Sequence, residues 1–225
     1  MKDMKGMGKQ FLVLLRHGQS LWNLENRFTG FVDQPLSHNG IREAEEAGNK
    51  IRKAGIEFDY VFTSTLERAY KTAEIALEKA GYNALVPHMA KHDDLRERDY
   101  GDLTGQNKDE ARARFGEEQV QIWRRSYDVS PPGGESLKDV VEKRVRPYFE
   151  HTIRPFLDEG KNVLIAAHGN SLRAMLIILD QETPETINGA EIPTGVPLVF
   201  EISDKEITAR YFLDDKEDEP LANRG

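Results

Sequence analysis

Short, unbroken apolar runs alternate along this chain with longer segments of helical period. Phe11-Leu-Val-Leu-Leu15 and Val163-Leu-Ile-Ala-Ala167 are continuous apolar runs, and Tyr60-Val-Phe62 is a shorter one. Runs of that kind suit strands buried on both faces of a sheet that helices cover. Between them, Ile41, Ala44, Ala47, Ile51 and Ala54 recur at helical spacing. They follow Ser37, suited to an N-cap, and stop at Gly55, suited to the residue past a helix end. Leu66, Ala69, Ala73, Ala76, Leu77 and Ala80 repeat the pattern and stop at Gly81. Residues 137–157 are periodic too, but Pro147 and Pro155 predict a kink or a break there. Residues 172–179 follow the Val163 run directly, and 198–202 with 207–213 flank Ser203-Asp-Lys-Glu206 as a late hairpin. Strands alternating with helices predict an α/β fold, a single-domain three-layer sandwich with a mainly parallel sheet flanked by helices. That domain is expected over residues 1–213. Ser130-Pro-Pro-Gly-Gly134 reads as a loop. Residues 214–225 carry five acids against two bases with no apolar period, and are expected to be a mobile acidic tail or a flap.

Composition narrows the partners. The 225 residues hold 31 Lys and Arg against 39 Asp and Glu, a net charge of −8. Bulk attraction to nucleic acid or to an anionic membrane is therefore not expected. With no cysteine, disulfides, thiolate metal sites and Cys nucleophiles are excluded. The apolar runs are far too short to span a bilayer. The expectation is a cytoplasmic protein whose few cations are concentrated where they are needed.

The chemistry-bearing residues sit at strand ends. The Phe11 run ends in Arg16-His17-Gly18 and the Val163 run in His168-Gly169-Asn170. In an open α/β sheet, ligands bind beyond the carboxyl ends of the strands, close to helix N-termini. Two strands that each deliver a His-Gly to that edge form a pattern that a lone histidine does not. Glycine permits a sharp turn and a close ligand approach. An imidazole beside a guanidinium suits covalent phosphoryl transfer: the ring nitrogen attacks phosphorus while the arginine neutralises developing charge. Arg68 lies one helical turn past the Tyr60 run and can point back to the same edge. Arg124 and Arg125, after Trp123, lie about 100° apart if helical, so both reach one ligand only at a helix end or on a flexible lid. Glu97, among the charges of Leu95-Arg-Glu-Arg-Asp-Tyr-Gly101, is a carboxylate that could act as general acid and base. His88 and His92, followed by Asp93 and Asp94, would need one helical face to hold a metal, which Pro87 opposes. No metal is expected. His38 and His151 carry no signal.

Several blocks, in order, resemble one family. Leu14-Leu-Arg-His-Gly-Gln-Ser-Leu-Trp-Asn23, then Glu25-Asn-Arg-Phe-Thr-Gly30, Glu97-Arg-Asp-Tyr-Gly-Asp-Leu-Thr-Gly105, Asn107-Lys108, Trp123-Arg-Arg125, Ala167-His-Gly-Asn-Ser-Leu-Arg173 and Ile192-Pro-Thr-Gly-Val-Pro197 look like blocks of the 2,3-bisphosphoglycerate-dependent phosphoglycerate mutases. These belong to the histidine phosphatase superfamily. Arg-His-Gly identifies only the superfamily, whereas Asn-Arg-Phe-Thr-Gly and Trp-Arg-Arg point to the mutases. The resemblance implies interconversion of 3- and 2-phosphoglycerate, primed by 2,3-bisphosphoglycerate and free of metal. It makes His17 the nucleophile, Glu97 the proton donor and acceptor, and His168, Arg16 and Arg68 the stabilisers of the transferring phosphoryl group. It places Ser20, Asn23, Thr29, Gly30, Gly169 and Asn170 at the phosphate, and Tyr100, Lys108, Arg124 and Arg125 at the far end of the ligand. A homodimer is what the family suggests.

The chain departs from the family at two points. Gln19 stands where many members have Glu, a peripheral change. Residues 129–136 replace a longer insertion of other members, which bears on lid behaviour and oligomer geometry. The alternative function on the same scaffold is a phosphomonoester phosphatase. A non-catalytic interaction module is the rival from another class, and the presence of both histidines and Glu97 opposes it.

Overall fold

The structure is a computed structural model, described over residues 9–214; the expected acidic tail beyond Asp214 lies outside the described residues. In chain order the elements are β1 (Gln10–Arg16), α1 (Leu21–Leu24), α2 (His38–Ala54), β2 (Tyr60–Thr63), α3 (Glu67–Ala80), β3 (Ala90–Lys91), α4 (Lys108–Phe115) and α5 (Glu117–Arg125). A long helical stretch over 137–158 (α6) follows, then β4 (Val163–Ala167), α7 (Gly169–Ile178) and the hairpin of β5 (Leu198–Ser203) and β6 (Glu206–Phe212). The described strands form one sheet in the order β3-β2-β4-β1-β5-β6. The first four strands run parallel and the hairpin joins β1 antiparallel.

Strand alternation builds the three layers. Leu12 and Leu14 of β1, with Val163 and Ile165 of β4, face the core under α6 and α7. Val13 and Leu15, with Leu164 and Ala166, face the opposite core under α2 and α3. Each of the two central strands thus feeds both cores, which is why the sequence shows apolar runs there instead of alternation. A smaller cluster of Phe28, Leu103, Ala111 and Val120 holds α4 and α5 against the 28–30 and 100–105 loops.

The helix ends follow the sequence signals. The Ser37 hydroxyl accepts the Gly40 N–H at 3.1 Å, and Gly55 and Gly81 adopt left-handed φ values of 66° and 90°. The two prolines of α6 act differently from the expected kink or break. Residues Val140–Val145 and Phe149–Ile153 are π-helical turns placed just ahead of Pro147 and Pro155. Arg146 donates its N–H to the Val141 carbonyl, five residues back. Widening the turn lets the helix run past a residue that has no N–H to give.

No helix among the described residues is long and apolar enough to cross a membrane.

Candidate active site

Two parallel neighbours bring the strand-end histidines together. Arg16 is in register with Ala167, and the His17 N–H donates to the Ala167 carbonyl at 3.0 Å. The His17 and His168 ring centroids lie 5.0 Å apart. His17 Nδ1 is 2.6 Å from the Gly18 carbonyl, which can only accept, so a neutral ring carries its proton on Nδ1 and its lone pair on Nε2. Burial, then Arg68 and Arg16, push the His17 pKa well below its ordinary value. Burial acts the same way on His168, again with Arg68 the leading charge. His168 Nε2 lies 2.6 Å from the Ser64 hydroxyl at the end of β2, and its Nδ1 is buried without a protein partner.

Gly18 differs from expectation in its reason. A Cβ there would lie 2.2 Å from the Gly40 carbonyl, so the glycine admits the first turn of α2 rather than a ligand. Gln19 also braces that turn, accepting from the Ser37 hydroxyl at 2.8 Å.

In front of His17 opens a cavity of about 120 Å³. Of the residues singled out from sequence, Arg16, His17, Asn23, Thr29, Gly30, Arg68, Glu97, Tyr100, Lys108, Arg124, Arg125, Gly169 and Asn170 line it. Two are not on its wall. His168 is fully buried beside His17. Ser20 is also fully buried, with its hydroxyl capping α1 by accepting the Asn23 N–H at 3.2 Å.

Each cation arrives by a different route. Arg68, 1% exposed in the first turn of α3, donates to the Gly30 and Val32 carbonyls at 2.8 and 2.9 Å. Arg16 Nη1 donates to the Ile192 carbonyl at 3.0 Å. Lys108 opens α4 behind the Asn107 cap. Arg124 and Arg125 are the last two residues of α5, the helix-end placement that lets adjacent arginines share one cavity. Arg125 also pairs with Glu191 at 3.1 Å.

Sequence reasoning missed Arg27 and Arg173, which line the same cavity. Arg173 was traceable: it stands three residues after Asn170 on α7 and donates to the Asn170 side-chain oxygen at 3.3 Å. Arg27 stands in the Asn-Arg-Phe-Thr-Gly block, but nothing local in the sequence shows its direction.

The cavity wall therefore carries seven cationic side chains against the two carboxylates Glu97 and Glu191. Burial pushes Arg68 and Arg173 down to about 10 and Lys108 down to about 8, with Arg124 and Arg16 adding to the effect on Lys108. Arg16 Nε, Thr29 Oγ1 and Arg173 Nε are buried without a protein partner. These are the donors and charges that a small, multiply anionic ligand would satisfy.

Glu97 is 9% exposed, and its Oε1 accepts the Arg98 N–H at 2.7 Å and the Asn170 N–H, at the start of α7, at 3.2 Å. One oxygen is thereby anchored by two amides, leaving Oε2 for chemistry. His88 and His92 lie apart from all this. His92 stacks on the Tyr148 ring, with centroids 4.2 Å apart.

Comparison with known proteins points to one superfamily. The family model for the histidine phosphatase superfamily (branch 1) matches residues 12–215. A 2,3-bisphosphoglycerate-dependent phosphoglycerate mutase of Methylobacterium sp. (strain 4-46) is 55% identical over 92% of this chain and 98% of that protein. One from Brucella anthropi is 52% identical over 90% of this chain and 98% of its own length. Among solved structures, a mycobacterial glucosyl-3-phosphoglycerate phosphatase in complex with VO3 is 26% identical, with a TM-score of 0.72 over 85% of this chain and 92% of that one.

Proposed function

The chain belongs to the histidine phosphatase superfamily, and from that premise we propose that it is an isomerase of glycolysis and gluconeogenesis. It interconverts 3-phosphoglycerate and 2-phosphoglycerate through a phosphohistidine at His17, primed by 2,3-bisphosphoglycerate. The observation that supports this reading over simple hydrolysis is the seven-to-two excess of cations around a single imidazole. A phosphatase needs one phosphate cradle. A mutase must hold two phosphates and a carboxylate at once, and keep water off the phosphohistidine while the ligand reorients.

The geometry is consistent with the following roles, which the family resemblance suggests. His17, held neutral with its lone pair on Nε2, attacks phosphorus in line, and the phosphorus–oxygen bond to the leaving group breaks. Arg16 and Arg68 neutralise the equatorial oxygens, with His168 behind them. Glu97 protonates the departing alkoxide, and later takes the proton of the hydroxyl that accepts the phosphoryl group. Asn23, Thr29, Gly30, Gly169 and Asn170 line the phosphate, with Ser20 supporting Asn23. Tyr100, Lys108, Arg124 and Arg125 hold the far end of the ligand. Bisphosphoglycerate fits the same cations and the unpartnered Arg16, Thr29 and Arg173 atoms, and when bound it supplies the phosphoryl group that charges His17. The charge stabilisation is assigned to arginines, so no metal is invoked. We place the enzyme in the cytoplasm, acting on small phosphoglycerates and not on nucleic acid or membrane, with a homodimer as the family's expectation.

A coupled assay on 3-phosphoglycerate tests this by measuring 2-phosphoglycerate and inorganic phosphate together. Isomer should dominate, turnover should collapse without bisphosphoglycerate, and a chelator should leave it unchanged. Net phosphate release as the main flux would make the protein a phosphatase.

A further inference from the structure

The loop of prolines and glycines at 131–134 and the wide turn of α6 have no part in the chemistry above, yet both converge behind Glu97. Arg144, carried by the π-helical turn Val140–Val145, forms a fork with Glu135: Nε and Nη2 donate to its two carboxylate oxygens at 2.8 Å each. The same guanidinium donates to the carbonyls of Asp94 at 3.0 Å and Glu97 at 3.3 Å. Glu135 reaches the other side of Glu97. Its Oε2 accepts the Asp99 N–H at 2.9 Å, and its own N–H donates to the Asp99 carbonyl at 2.8 Å. Behind this the two loops touch at backbone distance. The Asp102 N–H donates to the Pro132 carbonyl at 2.9 Å, and a Cβ on Gly101 would lie 2.2 Å from that same oxygen. The side chains of Arg144 and Glu135 are only 12% and 21% exposed, so the fork is shielded from solvent.

We propose that Arg144 and Glu135 are positioning residues for the proton-transfer step: they grip the backbone on both sides of Glu97 and so aim its carboxylate. The proposal rests on the reading of Glu97 as acid and base. Arg144 holds the segment entering Glu97 and Glu135 holds the segment leaving it, while the two amides on Oε1 fix the carboxylate itself. A short loop at 129–136 suits this task, because a loop of glycines and prolines can lie flat against its neighbour.

The test compares two phosphoryl donors by rapid-quench measurement of phosphohistidine. Transfer from bisphosphoglycerate breaks a phosphorus–oxygen bond to an alkoxide, which needs the proton of Glu97. Transfer from 4-nitrophenyl phosphate releases 4-nitrophenolate, which keeps the electron pair without a proton. Arg144→Gln and Glu135→Gln should slow the first by about tenfold or more, with little change in KM, and leave the second within about twofold. Arg144→Lys keeps the charge and one contact to Glu135 but loses the fork on that carboxylate and the simultaneous reach to the Asp94 and Glu97 carbonyls. It is the variant to use if the others do not fold, and it should show the same selective loss. A parallel loss with both donors, or no loss with either, overturns the clamp. Glu97→Gln is the control for the underlying reading: if it does not discriminate between the donors, the acid/base assignment falls and the clamp with it. If Glu97→Gln discriminates and the clamp variants do not, the clamp alone is wrong.

Discussion

His17 and His168 sit side by side at the ends of adjacent parallel strands, with ring centroids 5.0 Å apart and planes inclined at 59°. Their partners set them apart. His17 Nδ1 is tied to the Gly18 carbonyl, whereas His168 Nε2 is tied to the Ser64 hydroxyl. One ring thus keeps its Nε2 free, and the other is held through its Nε2 with Nδ1 unpartnered.

That difference separates two variants. His17→Ala should abolish the acid-labile phosphoenzyme. His168→Ala should still form it, but with kcat lower by about a hundredfold or more, as when one transition-state donor is removed. Radiolabelled phosphoryl transfer followed by acid and alkaline quench reads both outcomes. Label retained by His17→Ala would reassign the nucleophile.

Glu97→Gln keeps an acceptor for the Arg98 and Asn170 amides while removing the proton carrier. Turnover should fall by about 10² or more with the thermal transition little changed. Steady-state kinetics beside a melting curve is the check. Near-normal kcat would exclude Glu97 as the acid and base.

Lys108 gives the alkaline limb. Burial, then Arg124 and Arg16, hold its ammonium at a pKa of about 8, so it is cationic below that pH and loses its charge above. Affinity for phosphoglycerate should therefore decline as pH rises through about 8, seen as a falling kcat/KM. Lys108→Met should raise KM by about tenfold or more, the scale of one charge-assisted contact, and flatten that limb. An alkaline limb that survives in Lys108→Met would assign the titration elsewhere.

Stability should weaken toward acid for a different reason. Both buried histidines have pKa values below the ordinary 6.5, chiefly through burial. Above about 6.5 neither folded nor unfolded histidine is charged. Below that value the unfolded chain takes up protons that the folded protein refuses. The loss is up to about 1.4 kcal/mol per pH unit for each such group until the folded pKa is reached. Urea unfolding at pH 7.5, 6.5 and 5.5 should show it, with a shallower slope in His17→Asn. Equal slopes for wild type and variant would contradict the assignment.

The sequence by itself determined the alternation of elements, because helical and strand periods are written by neighbours a few residues apart. Ser37, Gly55 and Gly81 end their helices as capping chemistry requires. The two His-Gly pairs were legible for the same reason: a strand that stops at a histidine delivers it to the sheet edge wherever the strand lies. Everything that depends on the order of strands was not. Only the insertion of β4 between β2 and β1 sets His168 against His17 and Ser64. The tertiary fold also decided that Ser20 props Asn23 instead of facing the cavity, and that Arg27 and Arg173 join the cations. Pro147 and Pro155 widen a helix that continues, because α6 is held on a buried apolar face stronger than the local preference to break. Arg144 reaches the Glu97 carbonyl, and Glu135 the Asp99 amide, from a distant part of the chain. Periodicity encodes which face a residue occupies, but not which backbone carbonyl will be waiting there.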